Sequence, residues 1–267
     1  MQQPNFFVRL ASGFITVAAT MLVLPLVHAD EPYLSGGAVA DSGTSRFGLG
    51  LAASYTSGQY RGKDDTTALI PLVLYDNRYV HVFGNTVDLK LPSFSTFTFA
   101  LRAKYALGDG YKAGDSNYLA GMAERKGGVW LGGAATWKGA LATVSAQWLK
   151  APSDSKGQEV ELSAEHHFNA GPVQLTPHVS VKLSDKKYVD YYYGVPNDET
   201  RAGRPVYLAN TSATEDTIGL RATYPFNRHQ LLLLDVTDTR RSSAISDSPL
   251  VDKKLSPSLK FGYLYSF

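Results

Sequence analysis

The chain has no cysteine among its 267 residues. That excludes a disulfide framework, a thiol nucleophile and any cysteine-ligated metal centre. Methionine is scarce, at three. An excess of one charge sign is also missing: 26 Lys and Arg face 24 Asp and Glu, a net +2 without a dominant basic patch, so nucleic acid is not an expected partner. After residue 29 no run is apolar enough to cross a bilayer as a helix. G-x-S-x-G, H-E-x-x-H and P-loop motifs are absent, and with them the common local signatures of serine hydrolases, zinc proteases and nucleotide binders. No cofactor is expected.

The single apolar run, Phe14 to Val27, is shorter than the ~18–20 residues a spanning helix requires and is broken by Pro25. Val27-His28-Ala29 follows, with small residues at the −3 and −1 positions, and then Asp30-Glu31. This pattern reads as a secretory signal peptide over 1–29, cleaved after Ala29. If the exported remainder, 30–267, sits in a membrane, it must do so as a closed barrel, because only helices and barrels satisfy their backbone in lipid.

Its last eleven residues support that reading. Pro257, Leu259, Phe261, Tyr263, Tyr265 and Phe267 fall on one face of a strand, with Ser258, Lys260, Gly262, Leu264 and Ser266 on the other. Such alternation suits a strand with a different solvent on each face. An aromatic-rich face ending on a C-terminal Phe is what the last strand of a bacterial outer-membrane barrel looks like. Tyr263, Tyr265 and Phe267 are therefore taken as the signal read by the barrel-assembly machinery.

Upstream, residues 30–45 read as a polar periplasmic arm, and 46–56 as a first strand with Phe47, Leu49, Leu51, Ala53 and Tyr55 outward. A second strand, 66–75, holds Pro71, which implies an edge or kink. Residues 78–91 are one long strand or two short ones around Gly84-Asn85. A strand at 95–107 precedes a polar loop, 108–126, with a short helix expected around 118–124. Three hairpins follow: 128–137 with 140–149, 157–168 with 172–183, and 214–225 with 229–239. The expected fold is an all-β, antiparallel transmembrane barrel of about 12 strands, or 10 if one segment is a loop. Twelve lets every tight turn share one end with the termini.

The inward faces carry charges of both signs: Arg102, Lys104, Glu159, Glu161, Glu165, Lys182, Arg221, Asp235 and Lys260, with His167 among them. Unpaired in a soluble core these would be ruinous. In a polar lumen they can pair across the barrel and fill it, or line a solute path. A barrel of this size is near the limit where side chains still fill the interior, so a wide porin is not expected. Ser180, His178, His167 and the nearby glutamates could form a catalytic set, and Glu161, Glu165 and His167 could bind a metal. Both patterns arise by chance on inward strand faces, and no catalytic residue and no metal site are assigned. Tyr75, Tyr79, Trp130, Trp137, Trp148, Tyr224, Tyr263 and Tyr265 suit interfacial girdles.

The most distinctive stretch is Lys186 to Val195, K-K-Y-V-D-Y-Y-Y-G-V. Three consecutive tyrosines cannot all face lipid on a strand, so some must pack inside the mouth or onto a partner. The loop Tyr60–Asp65, the Pro71 strand, Tyr188 with Tyr191-Tyr192-Tyr193-Gly194-Val195, and Ser248-Pro249-Leu250-Val251-Asp252, in this order along the chain, resemble the MltA-interacting protein / OmpV family of outer-membrane proteins. The resemblance covers essentially the whole exported chain; Lys63 adds a charge to the first loop. It implies a non-enzymatic barrel that brings a lytic transglycosylase and a peptidoglycan synthase together at the outer membrane. Links to antibiotic uptake and adhesion are also implied for some members.

Overall fold

A computed structural model of the protein describes residues 45–106 and 109–267. The expected signal peptide, and the arm 30–45 save for Ser45, lie outside the described residues. The rest alternates as the sequence predicts, side chains passing in turn to the two faces of one continuous sheet. Its strands are β1 (Arg46–Thr56), β2 (Thr66–Asp76), β3 (Val80–Phe83), β4 (Thr86–Lys90), β5 (Phe97–Tyr105), β6 (Val129–Lys138), β7 (Thr143–Lys150), β8 (Gln158–Glu165, resuming at Phe168–Ala170), β9 (Val173–Ser184), β10 (Ala213–Asn227), β11 (Gln230–Arg241) and β12 (Leu255–Ser266).

Each strand pairs antiparallel with the next along the chain, and β12 returns to pair with β1, so the sheet closes into a twelve-strand barrel. Leu49 stands opposite Tyr265 and Leu51 opposite Tyr263. The Phe267 N–H donates to Phe47 O at 2.8 Å, and the two rings stack at 5.5 Å. Closure removes every free sheet edge save where a strand is cut short. The outward face is an apolar belt that includes Leu51, Leu101, Leu162, Ile218 and Phe261, all exposed, as expected of a barrel solvated by lipid.

Residues 78–91 are two strands, and this decides the count at twelve rather than ten. Gly84 takes φ +58° in the turn between them, with open space around its α-carbon, a conformation glycine adopts without steric cost. At four and five residues, β3 and β4 are far shorter than the eleven-residue β2. The expected helix at 118–124 does not form. That stretch is a series of turns after a single 3₁₀ turn, Ala113–Asp115. Leu119 and Met122 are buried there by packing against other loops rather than along a helical face.

The termini and the short turns lie at one end, the periplasmic end by the usual rule for such barrels. Long segments 57–65, 106–128, 151–157, 185–212 and 242–254 meet at the other. Helix α1 (Lys186–Tyr193) and the single turn α2 (Ser243–Ser246) sit among them. Most of the buried apolar side chains belong to this cap. A smaller apolar cluster, Leu74, Leu231 and Leu264 with Leu72 and Phe83, faces inward toward the periplasmic end.

Candidate functional site

The lumen is the candidate site. It has an apolar floor, a charged middle and an aromatic roof. Inward glycines and alanines give the charged groups room to reach across strands. Arg102 of β5 stands opposite Asp88 of β4 on one side and Gly132 of β6 on the other. Its Nε and Nη2 donate to the two Asp88 oxygens at 2.8 and 2.7 Å, and its Nη1 donates to Gln147 Oε1 at 2.8 Å. Gln147 Nε2 in turn donates to Glu161 Oε2 at 2.6 Å. A bidentate guanidinium–carboxylate pair fixes geometry better than a point charge can.

A second network crosses β8 to β11. Arg221 lies 3.3 Å from Asp235 and 3.5 Å from Glu165. His178 reaches Asp235 at 3.3 Å and His167 reaches Glu165 at 3.4 Å. A Cβ on Gly219 would lie 2.4 Å from the His178 ring, so a side chain there would push the imidazole away from Asp235. Thr176, not Ser180, is the hydroxyl beside His167, at 2.9 Å. Among the described residues no hydrogen bond joins Ser180 to either histidine, and no three His, Asp or Glu side chains converge as metal donors.

Higher up, Lys182 Nζ lies 2.6 Å from Glu215, which also meets Arg241 at 3.3 Å. Lys104 and Glu159 are 3.8 Å apart. Lys260 stands opposite Asp235 on the neighbouring strand and forms no ion pair within 4.0 Å among the described residues. Asp109 lies just beneath the roof. Burial pushes its carboxyl above the usual range, with Lys182 and Lys104 pulling the other way.

The roof is built from the tyrosines of α1. Asp185 caps the helix by accepting from the Tyr188 N–H at 3.0 Å. Tyr188, Tyr192 and Tyr193 are buried, while Tyr191 packs at the edge and accepts from the Lys126 N–H at 3.1 Å. Tyr60 lies 5.8 Å from Tyr193 and 4.8 Å from Tyr111, ring to ring. Burial raises the Tyr60, Tyr188, Tyr192 and Tyr193 hydroxyls well above their ordinary range, and pushes Tyr111 up to about 12. Gly194 ends α1 where a Cβ would lie 2.2 Å from Asp190 O. Val195 is fully buried and pairs with Tyr207.

The stretches that carried the family resemblance converge here. Ser248 Oγ donates to Tyr193 O at 2.6 Å, Arg61 N donates to Leu250 O at 2.7 Å, and Tyr60 bridges to Val251. Trp130, expected in an interfacial girdle, is instead buried under this roof, 5.9 Å from Tyr188. It shares inward parity with Gly132, and as the second residue of β6 it sits where the strand leaves the cap. Trp137 and Trp148 do face outward.

Several partners escaped the sequence reading. Asp88 lay in the ambiguous segment 78–91. Asp76, His81 and Lys90 form a buried group at the periplasmic end, with Asp76 2.9 Å from His81 and 2.8 Å from Lys90. Glu215 and Arg241 share the inward parity of Arg221 and Asp235, and that parity could have found them.

Comparison with known proteins places the chain in a family. The chain belongs to the family described as MltA-interacting protein MipA, whose profile matches residues 49–267. It is 26% identical over 234 residues to the outer-membrane protein YiaT of Escherichia coli O157:H7, covering 86% of this chain and 94% of that one. It is 28% identical over 172 residues to outer membrane protein OmpV of Vibrio cholerae, 64% of this chain and 63% of that one. It is also 29% identical over 115 residues to the MltA-interacting protein of Escherichia coli K12, 43% and 46% of the two chains. Among solved structures, outer-membrane expressed OmpT of Vibrio cholerae aligns over 84% of this chain and 97% of its own, with 7% identity and a TM-score of 0.37.

Proposed function

We propose that this MipA-family outer-membrane β-barrel is a non-enzymatic scaffold that holds peptidoglycan-remodelling enzymes, a lytic transglycosylase and a synthase, against the inner face of the outer membrane. One observation carries the reading. The lumen's ionisable groups are largely committed to one another, and the mouth is roofed by packed tyrosines. A barrel whose lumen charges are paired and whose mouth is roofed in this way presents its periplasmic rim for recognition. The relative named MltA-interacting protein supports the choice of a transglycosylase as partner.

The periplasmic rim offers the turn Asn77–Tyr79, where Arg78 sits 5.5 Å over the exposed Tyr79 ring; the arm 30–45, which lies outside the described residues save for Ser45, is proposed as the second contact. Membrane lipid is the other partner, through the apolar belt. Tyr263 and Tyr265, outward on β12, and Phe267, exposed just beyond its end, are proposed as the strand face read by the barrel-assembly machinery, and Ala29 as the last residue removed on export.

The test is capture of a periplasmic lytic transglycosylase by the refolded barrel, beside a chain lacking 30–45. Capture by the full barrel, reduced by the deletion, supports a scaffold that works through its arm. No capture by the full barrel overturns the scaffold. Discrete conductance steps in a planar bilayer would instead favour a narrow channel lined by Arg102, Lys104, Glu161 and Arg221.

A further inference from the structure

The barrel wall has a window. β3 and β4 are so short that they cover only the lower part of β2: Leu74 pairs with Phe83, Tyr75 with Val82 and Asp76 with His81. The last bond on that side is from Gly84 N to Val73 O, at 3.1 Å. Above it, among the described residues, no strand pairs with the outer edge of 66–72. A free edge at membrane depth leaves backbone donors and acceptors without partners, which lipid cannot supply. Backbone groups alternate sides along a strand, so Val73, Pro71 and Leu69 point theirs at the gap. Pro71 has no N–H to leave there.

The gap is framed rather than merely open at the top. Its sill is the Gly84-Asn85 turn, where Asn85 O accepts from Tyr105 N at 2.9 Å. Its lintel is the Lys63–Asp115 ion pair at 2.9 Å and the bond from Ser116 Oγ to Arg61 O at 3.0 Å. A cavity of about 390 Å³ lies at the window and one of about 650 Å³ fills the lumen. They share Ser54, Thr56, Gln59, Ile70, Asp109 and Ser256 as walls. Both volumes are in the range of small-molecule sites, roughly 300–1,000 Å³. The lumen is closed toward the periplasm by the Leu74, Leu231 and Leu264 cluster and outward by the tyrosine roof.

The two cavities together are amphipathic. On the window side Ile70, Leu72 and Phe83 face the lumen, and Leu69, 71% exposed, continues them onto the lipid belt. Across β1 stands Lys260, in register with Ser54, which is in register with Ala68. The lysine is therefore two strand spacings, roughly 10 Å, from the window's edge. It is the lumen cation left without an ion pair among the described residues.

We propose that the window admits a single-chain amphiphile with an anionic head from the outer leaflet. The head pairs with Lys260 and the chain runs out past Ala68 and Ile70, above the Gly84-Asn85 turn. This binding site is independent of the scaffold reading, since it uses neither the periplasmic turns nor the arm.

The test uses the full barrel in lipid nanodiscs, with laurate as probe and dodecyl maltoside as its uncharged counterpart. Heat-modifiable gel mobility reports folding of each variant. The expected result is saturable 1:1 laurate binding, weakened about tenfold by Lys260→Gln, as for loss of one charge-assisted contact, and abolished by Ala68→Trp. Dodecyl maltoside should bind weakly, and Lys260→Gln should leave that binding unchanged. Laurate binding of equal strength in Lys260→Gln, binding retained in folded Ala68→Trp, or equal affinity for the two probes would each overturn the proposal. Should Ala68→Trp fail to fold, Ile70→Trp blocks the same path, and Lys260→Gln decides the head.

Discussion

The ammonium of Lys182 lies 2.6 Å from the Glu215 carboxylate and 5.5 Å from the centre of the Tyr188 ring. One lysine thus joins the charged lumen to the aromatic roof. Glu215 also neutralises Arg241, so this buried carboxylate stands between two cations, of which Arg241 is itself buried. Glu215→Gln should therefore cost more than removal of either cation. A loss of about 3 kcal/mol is expected, as when one partner of a buried ion pair is removed. Urea unfolding followed by heat-modifiable mobility would measure it, and a change below about 0.5 kcal/mol, typical of surface sites, would show that the cluster is not structurally important.

Arg102 offers a parallel case with a sharper chemical contrast. Arg102→Lys keeps the charge but cannot hold both Asp88 oxygens and Gln147 at once. Arg102→Leu leaves Asp88 buried without its guanidinium partner. The expected order of stability is wild type, then lysine, then leucine, with leucine about 3–5 kcal/mol down. If the lysine variant unfolded at the same urea concentration as wild type, the bidentate geometry would not matter.

Asp65 should act as an acid-labile latch on the loop 57–65. The Tyr55 hydroxyl donates to it, as does the Gly58 N–H at 2.9 Å, and Lys253 lies 3.5 Å away. Led by the Tyr55 bond, these hold its carboxyl down at about 2 against a small opposing effect of burial. A depressed carboxylate contributes stability that is present above its unfolded value, about 3.9, and is lost as pH falls through the folded one. Hydrogen exchange in 57–65 should be slow down to pH 4 and rise toward pH 2. Asp65→Asn should show fast exchange at every pH; an unaltered pH profile in that variant would rule out the latch.

Gly194→Ala tests the roof. The new Cβ would meet Asp190 O at 2.2 Å, and the obstacle is backbone, which cannot swing aside. The end of α1 must shift, at a cost of about 1–3 kcal/mol, while the barrel below keeps its hydrogen bonds. Near-UV circular dichroism of the tyrosines should weaken with far-UV strand signal unchanged. Equal near-UV spectra would mean that the turn after α1 can relax freely.

Much of this architecture is readable from residue order, and the exceptions have physical causes. Strand alternation is a local property, so β1 and β12, with their aromatic or leucine-rich outward faces, are plain in the sequence. So is the inward placement of Arg102, Glu161 and Lys182, because parity along a strand is all that it requires. Trp130 was misplaced because it has inward parity yet sits beside a strand end, where an aromatic ring suits a lipid interface and a loop core equally. The helix expected at 118–124 failed because Leu119 and Met122 are buried by segments far away in sequence, which no local periodicity records. Asp88 and His81 went unseen because strands of four and five residues hardly display a period.

What the sequence alone determined is the class of object: a barrel wall with lipid on one side and polar groups on the other, since period-two alternation is joined there by an aromatic outward face on the last strand and by charges of both signs on the inward faces. The tertiary structure decided the pairings across the lumen, the roof over its mouth and the window beside β2. Those depend on register and on which loops meet, set by contacts between residues such as Tyr60, Tyr193 and Val251 that lie far apart along the chain.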